Sequence, residues 1–115
     1  MGGDTVVWQS GGMAAYVISG DESLIGLELT SLVDRLVGDN DRTLMVDDFD
    51  CADANTTMGA IADSLTTMPL FTERRIVVVR NVHSLDAESL DTLVAALDAR
   101  VDEVDTIATI TGRQP

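Results

Sequence analysis

The stretch best placed to do chemistry is Gly20-Asp21-Glu22-Ser23-Leu24-Ile25-Gly26-Leu27-Glu28, where a strand, turn and helix would put a phosphate loop. That motif needs Gly-x4-Gly-Lys-Ser/Thr: backbone amides cradle phosphates, the lysine meets their charge and the hydroxyl holds magnesium. Here the lysine is missing, the glycine spacing differs, and Asp21, Glu22 and Glu28 would repel a triphosphate. The strand expected to carry a magnesium-holding acid ends instead in Arg80-Asn81. A nucleotide-binding, ATPase-like domain is thus an alternative with its key groups absent. A receiver-type regulatory domain is a second alternative, with Asp47-Asp48 as its metal-binding pair. That chemistry also wants an acceptor aspartate where Arg80 stands, and a lysine, of which this chain has none. His83 is the only histidine, and no sequence pattern joins it to Cys51 or Ser84 as a nucleophilic pair. With 20 acidic residues in the chain, spacing between carboxylates carries no information. We expect no catalytic residues, no metal and no cofactor.

The elements that would position these residues follow from hydrophobic patterning. Residues 1–14 read as a flexible leader, with Gly2, Gly3, Gly11 and Gly12 around Val6-Val7-Trp8. Ala15-Tyr16-Val17-Ile18 reads as a buried strand, closed by Ser19-Gly20-Asp21. Asp21 or Ser23 can cap a helix over 23–37, whose Ile25, Leu29, Leu32, Val33 and Leu36 share one face. Thr43–Val46 is expected as a strand and Asp47–Asp53 as an acidic loop. Asp53 or Asn55 can start a helix over 56–65, with Met58, Ile61, Ala62 and Leu65 inward. Ile76–Val79 is a strand, and a helix over 87–100 follows a Ser84 or Asp86 cap, with Leu90, Leu93, Val94 and Leu97 on one stripe. Thr106–Ile110 is a last strand. Short apolar strands alternating with amphipathic helices predict an α/β fold, a parallel sheet with helices on both faces. Ending just after a strand reads as a fragment of a longer protein.

Composition narrows the function classes. At 115 residues and 45% hydrophobic content, the chain suits one globular domain with an aliphatic core, since aromatics are only 3%. No apolar run approaches the roughly 20 residues needed to span a bilayer, and no signal peptide is read, so no membrane contact is expected. The lone cysteine fits a reducing, cytoplasmic setting. Net charge is −13, and all seven cations are arginine. Nucleic-acid affinity comes largely from neutralising phosphates, so no direct nucleic-acid binding is expected.

Met68-Pro69-Leu70-Phe71 is the odd segment. Loops normally carry polar residues because their backbone must meet water. Here three apolar side chains and a proline lie between a helix and the Thr72-Glu73-Arg74-Arg75 approach to a strand. They either tuck under the sheet as core or form an apolar wedge for another protein.

Two stretches carry a family resemblance: Tyr16-Val17-Ile18-Ser19-Gly20-Asp21-Glu22-Ser23-Leu24, and Met68-Pro69-Leu70-Phe71-Thr72-Glu73-Arg74-Arg75-Ile76-Val77-Val78-Val79-Arg80-Asn81-Val82. In order and separation they resemble the N-terminal domain of the delta subunit of bacterial DNA polymerase III, over about residues 15 to 111. The resemblance implies an AAA-type (P-loop NTPase-like) domain over 15–115 with a degenerate nucleotide site. It implies a noncatalytic clamp-loader subunit of a DNA polymerase holoenzyme, which binds the sliding clamp (the beta subunit) and favours ring opening during DNA replication. By position, the wedge is Met68, Pro69, Leu70 and Phe71, with Leu70 and Phe71 at its tip and Thr67, Thr72 and Glu73 as flanking contacts. Contacts with other clamp-loader subunits would run through lid and collar domains not included in this chain. The family often carries a more basic surface than this lysine-free version, so further electrostatic contacts do not carry over.

Overall fold

The computed structural model describes residues 4–10, 13–70 and 72–111. In chain order these form β1 (Asp4–Ser10), β2 (Met13–Gly20), α1 (Glu22–Val37), α2 (Arg42–Met45), β3 (Val46–Asp50), α3 (Met58–Thr66), β4 (Arg75–Arg80), a 3-10 turn (Val82–Ser84), α4 (Ala87–Asp98) and β5 (Val104–Thr111). The five strands make one sheet in the order β1-β2-β5-β4-β3. β2, β5, β4 and β3 are parallel, and β1 is antiparallel to β2. The expected α/β class with a parallel sheet is what the chain adopts.

The run Ile76–Val79 explains the layering. Side chains alternate across a strand, so Ile76 and Val78 pack with Ile18, Ile107 and the α1 residues Ile25, Leu32 and Val33. Val77 and Val79 point the other way, onto Ile61 and Leu65 of α3 and Leu93 of α4. All four valine and isoleucine side chains are buried, each contributing about 1.5–3 kcal/mol of apolar burial. Helices cover both faces because the sheet's centre is apolar on both.

Caps fix the helix starts. The Asp21 carboxylate accepts from the Ser23 amide at 3.0 Å, and Asp86 accepts from Ser89 at 2.8 Å. α1 stops at Gly38, whose φ of 58° is accessible at little cost to glycine. The start of α3 departs from expectation: Thr57 is its cap, with its hydroxyl accepting from the Ala60 amide at 3.2 Å. Asp53 instead closes a local turn onto the Asn55 amide.

Three further expectations are corrected. Residues 43–45 are helix and only Val46 of the expected strand is strand: Asp41 caps the short helix α2 by accepting from the Thr43 amide. The strand is β3, made from the stretch expected to be an acidic loop. Its carboxylates are tolerated because β3 is the outermost strand and β4 supplies arginines to them: Arg80 to Asp48 at 2.8 Å and Arg75 to Asp47 at 3.5 Å. Within the expected leader, Asp4–Ser10 is strand, paired residue for residue from Asp4↔Ser19 to Ser10↔Met13. On α4 the buried pair is Leu93 and Ala96, while Leu90 and Val94 stand 40% and 50% exposed. The helix is rotated so that small Ala96 closes on the sheet.

Candidate partner-binding site

Met68–Leu70 lies in the connection from α3 to β4, at the end of the sheet where β3 and β4 begin. Proline lacks an amide hydrogen and disfavours helix in the residue before it. α3 accordingly ends at Thr66, with Thr67 already extended. Beyond it Met68 is 52% and Leu70 81% exposed. Pro69 is half-buried, Glu73 exposed and Thr72 half-buried, its hydroxyl donating to the Arg74 carbonyl at 2.6 Å. Phe71 lies outside the described residues. Leu70 is therefore no part of the core.

The loop is pinned at its base by two arginines, Arg74 and Arg75, which the sequence places in the second motif without a role. Arg75 Nη1 donates to the Ser64 carbonyl at 3.0 Å and the Thr67 carbonyl at 2.6 Å. These are carbonyls at the C-terminal end of α3, the negative end of its dipole, where a guanidinium is favoured. Its Nε lies 3.5 Å from Asp47, which also accepts from the Ser64 hydroxyl at 2.6 Å. Arg74 grips the other side: Nη2 and Nε donate to the two oxygens of Asp105 at 2.7 and 3.3 Å. This two-point hydrogen bonding raises the Arg74 pKa further above its ordinary range. Consecutive arginines before a strand, in a chain without lysine, were the available signal: a planar fork can hold several acceptors at once, which an ammonium cannot.

The residues weighed for catalysis lie apart: Asp47 sits beside Arg75 at the loop end of β3, and Arg80, Asn81 and His83 lie at the opposite end of the sheet. Asp47 and Asp48 point to opposite faces of β3, and each is paired with its own arginine, so they form no shared metal pair. Among the described residues no group of three or more His, Cys, Asp or Glu side chains is arranged to hold a metal. A cleft of about 290 Å³ lies between α1 and the end of β4, lined by Glu22, Ile25, Arg80, Asn81, His83 and Thr109. Asn81 sits in the left-handed region at φ 62°. Its amide donates to the Thr109 hydroxyl and its side chain to Asp50. Arg80 is drawn to Asp48, which raises its pKa.

Two measurable consequences follow from this corner. The Asn81 side chain, the Ala52 amide and the nearby Arg80 hold Asp50 below the ordinary carboxylate value of 3.8. A depressed carboxylate pKa stabilises the fold at higher pH, and that stability is lost as pH falls through the folded value. Asp50→Asn is expected to melt below the wild type at pH 7, and the gap is expected to close in acid, below about pH 3.8; a constant gap across that range would refute the linkage. Burial, followed by the Asp50 charge, pushes the Cys51 thiol up. Thiolate is the reactive form, so Cys51 is expected to react with iodoacetamide at pH 8 more slowly in the native chain than in urea.

The comparisons with known proteins bear on the same residues. A family model described as DNA polymerase III, delta subunit, matches residues 16–110. The chain belongs to the DNA polymerase III delta subunit family. No curated protein and no solved structure matches it. The match spans β2 through nearly all of β5 and so includes the pinned apolar loop. Membership gives this delta-family domain a clamp-loader-related role in DNA replication, as an accessory part of the polymerase III assembly. Among the described residues no helix is long and apolar enough to cross a membrane.

Proposed function

We propose that the domain over 15–115 is a noncatalytic clamp-binding module, which inserts Leu70 and Phe71 into an apolar pocket of the sliding clamp and favours ring opening. Met68 and Pro69 shape the wedge, and Thr67, Thr72 and Glu73 flank it. The observation that carries this reading is Leu70, 81% exposed on a loop whose two ends are held by arginines. An exposed leucine on a floppy loop would lose most of its contact energy to ordering; on a pinned loop that cost is already met.

The scaffold in this reading is AAA-type with a degenerate nucleotide site. Its support is the start of α1, where the chain's own Asp21 carboxylate takes the amide that a phosphate oxygen would need. Glu22 adds a second negative charge in the first turn. The clamp is the partner of this domain, other clamp-loader subunits are met through further domains, and the setting is cytoplasmic.

Calorimetric titration of the chain with the sliding clamp of the same organism is expected to give a saturable heat. Titration with ATP and magnesium is expected to give none. Clamp heats no larger than dilution would remove the proposal, and measurable ATP binding would remove the degenerate-site part of it.

A further inference from the structure

Burying one leucine and one phenylalanine does not by itself offset the freedom lost on association. The wedge therefore needs a neighbouring surface, and the edge of the sheet beside it has the right form. β3 is the last strand in the sheet order and pairs only with β4 among the described residues. The Cys51 amide, just past β3, donates to the Arg80 carbonyl of β4 at 2.8 Å. In a parallel ladder the backbone groups of alternate residues face alternate sides. Asp47 and Phe49 therefore face β4 as Cys51 does, and the N–H and C=O of Asp48, with the Asp50 N–H, face outward from the sheet.

A shallow cleft of about 520 Å³ runs along that edge. Its far wall is the flank of α3, where Ala60 and Ser64 lie one helical turn apart and their small side chains leave room beside the strand, and the extended Thr67 follows. Thr67 and Arg75, which form the base of the wedge loop, also line this cleft, so cleft and wedge are one continuous surface. Two carboxylates face it, Asp47, which is paired with Arg75, and Asp63; the Asp48 carboxylate is held by Arg80 on the other face of the strand. Asp63 is exposed, and Asp47 and Asp48 are about half exposed.

We propose that the free edge of β3 is the second half of the clamp-binding surface, where an extended segment of the clamp adds to the sheet and sets a cationic side chain over Asp63. The proposal rests on the wedge reading for the identity of the partner. Strand addition supplies backbone hydrogen bonds and side-chain pockets at alternate positions, which is the extra contact the wedge requires. The carboxylates also protect the edge from pairing with other copies of this acidic chain, and the same charge admits a basic segment.

Hydrogen–deuterium exchange of the chain, free and saturated with clamp, tests this directly. Amides over 46–50 are expected to slow at least about tenfold on binding, as edge amides gain partners. Asp63→Lys is expected to weaken clamp binding about tenfold at low salt and less at high salt. Clamp binding that is lost in Leu70→Ala but leaves exchange over 46–50 unchanged overturns the edge proposal and keeps the wedge. Slowed exchange over 46–50 with Leu70→Ala binding as wild type keeps the edge and overturns the wedge. No binding by the wild-type chain overturns both.

Discussion

Replacing Leu70 and Phe71 together by alanine is expected to weaken clamp binding by at least about 100-fold while the melting temperature stays within about 2 °C. Two truncated anchors at the centre of an interface cost about 2 kcal/mol or more each, and every 1.4 kcal/mol is about tenfold in affinity. The stability half of the expectation rests on Leu70: at 81% exposure it has little native packing to lose, and such surface changes stay within about 0.5 kcal/mol. Titration calorimetry reads the affinity and circular dichroism reads the melt. A double variant that melts far below wild type would return the pair to the core. One that melts normally and still binds the clamp would end the wedge reading. The single variant Leu70→Ala separates the residue described on the surface from its neighbour.

Arg75→Ala is expected to do what the wedge variants do not, lowering stability and affinity together. Arg75 joins two helix-end carbonyls and Asp47 with a side chain only 17% exposed. Hydrogen bonds from a charged donor contribute about 1.5–3 kcal/mol each, and Arg75 makes two to carbonyls besides its ion pair with Asp47. A loss of about 2–4 kcal/mol is expected, seen as a drop of roughly 10 °C or more in the melt. Clamp affinity is expected to fall about tenfold even at a temperature where the variant is folded, because the freed loop must be ordered on binding. Arg75→Lys is expected to recover only part of either loss, since an ammonium cannot span the same three acceptors in one plane. If Arg75→Ala melts lower but binds the clamp as wild type, pinning has no part in recognition.

These two variants separate the tip of the site from its support, and the two parts were unequally legible in the sequence. The apolar segment was visible as composition in the wrong place, apolar residues around a proline where a loop should be polar. Whether Leu70 turned inward or outward was open on those residues alone. Its support was not visible, because Arg75 meets Asp47 and Ser64, and Arg74 meets Asp105, across distances in sequence that no local pattern reports.

The fold divides in the same way. The runs Ile76–Val79 and Ile107–Ile110, the Ile61/Leu65 pair and the Asp21 and Asp86 caps were legible because period, burial and capping are properties of neighbouring residues. β3 was misplaced because Asp47, Asp48 and Asp50 argue against a strand until arginines on β4 answer them. β1 was missed although Gly11-Gly12 between two apolar runs is a hairpin signal; the glycines were read for freedom only.

By itself, then, the order of residues determined the α/β class and the family to which the two motifs belong. These depend on local pattern and on which side chains exist at all. Only the tertiary structure decided that Leu70 stands in solvent, that two arginines hold its loop, and that β3 pairs only with β4 among the described residues. Exposure, pairing and edges are relations between segments far apart in the chain, and they come into being only when the sheet assembles.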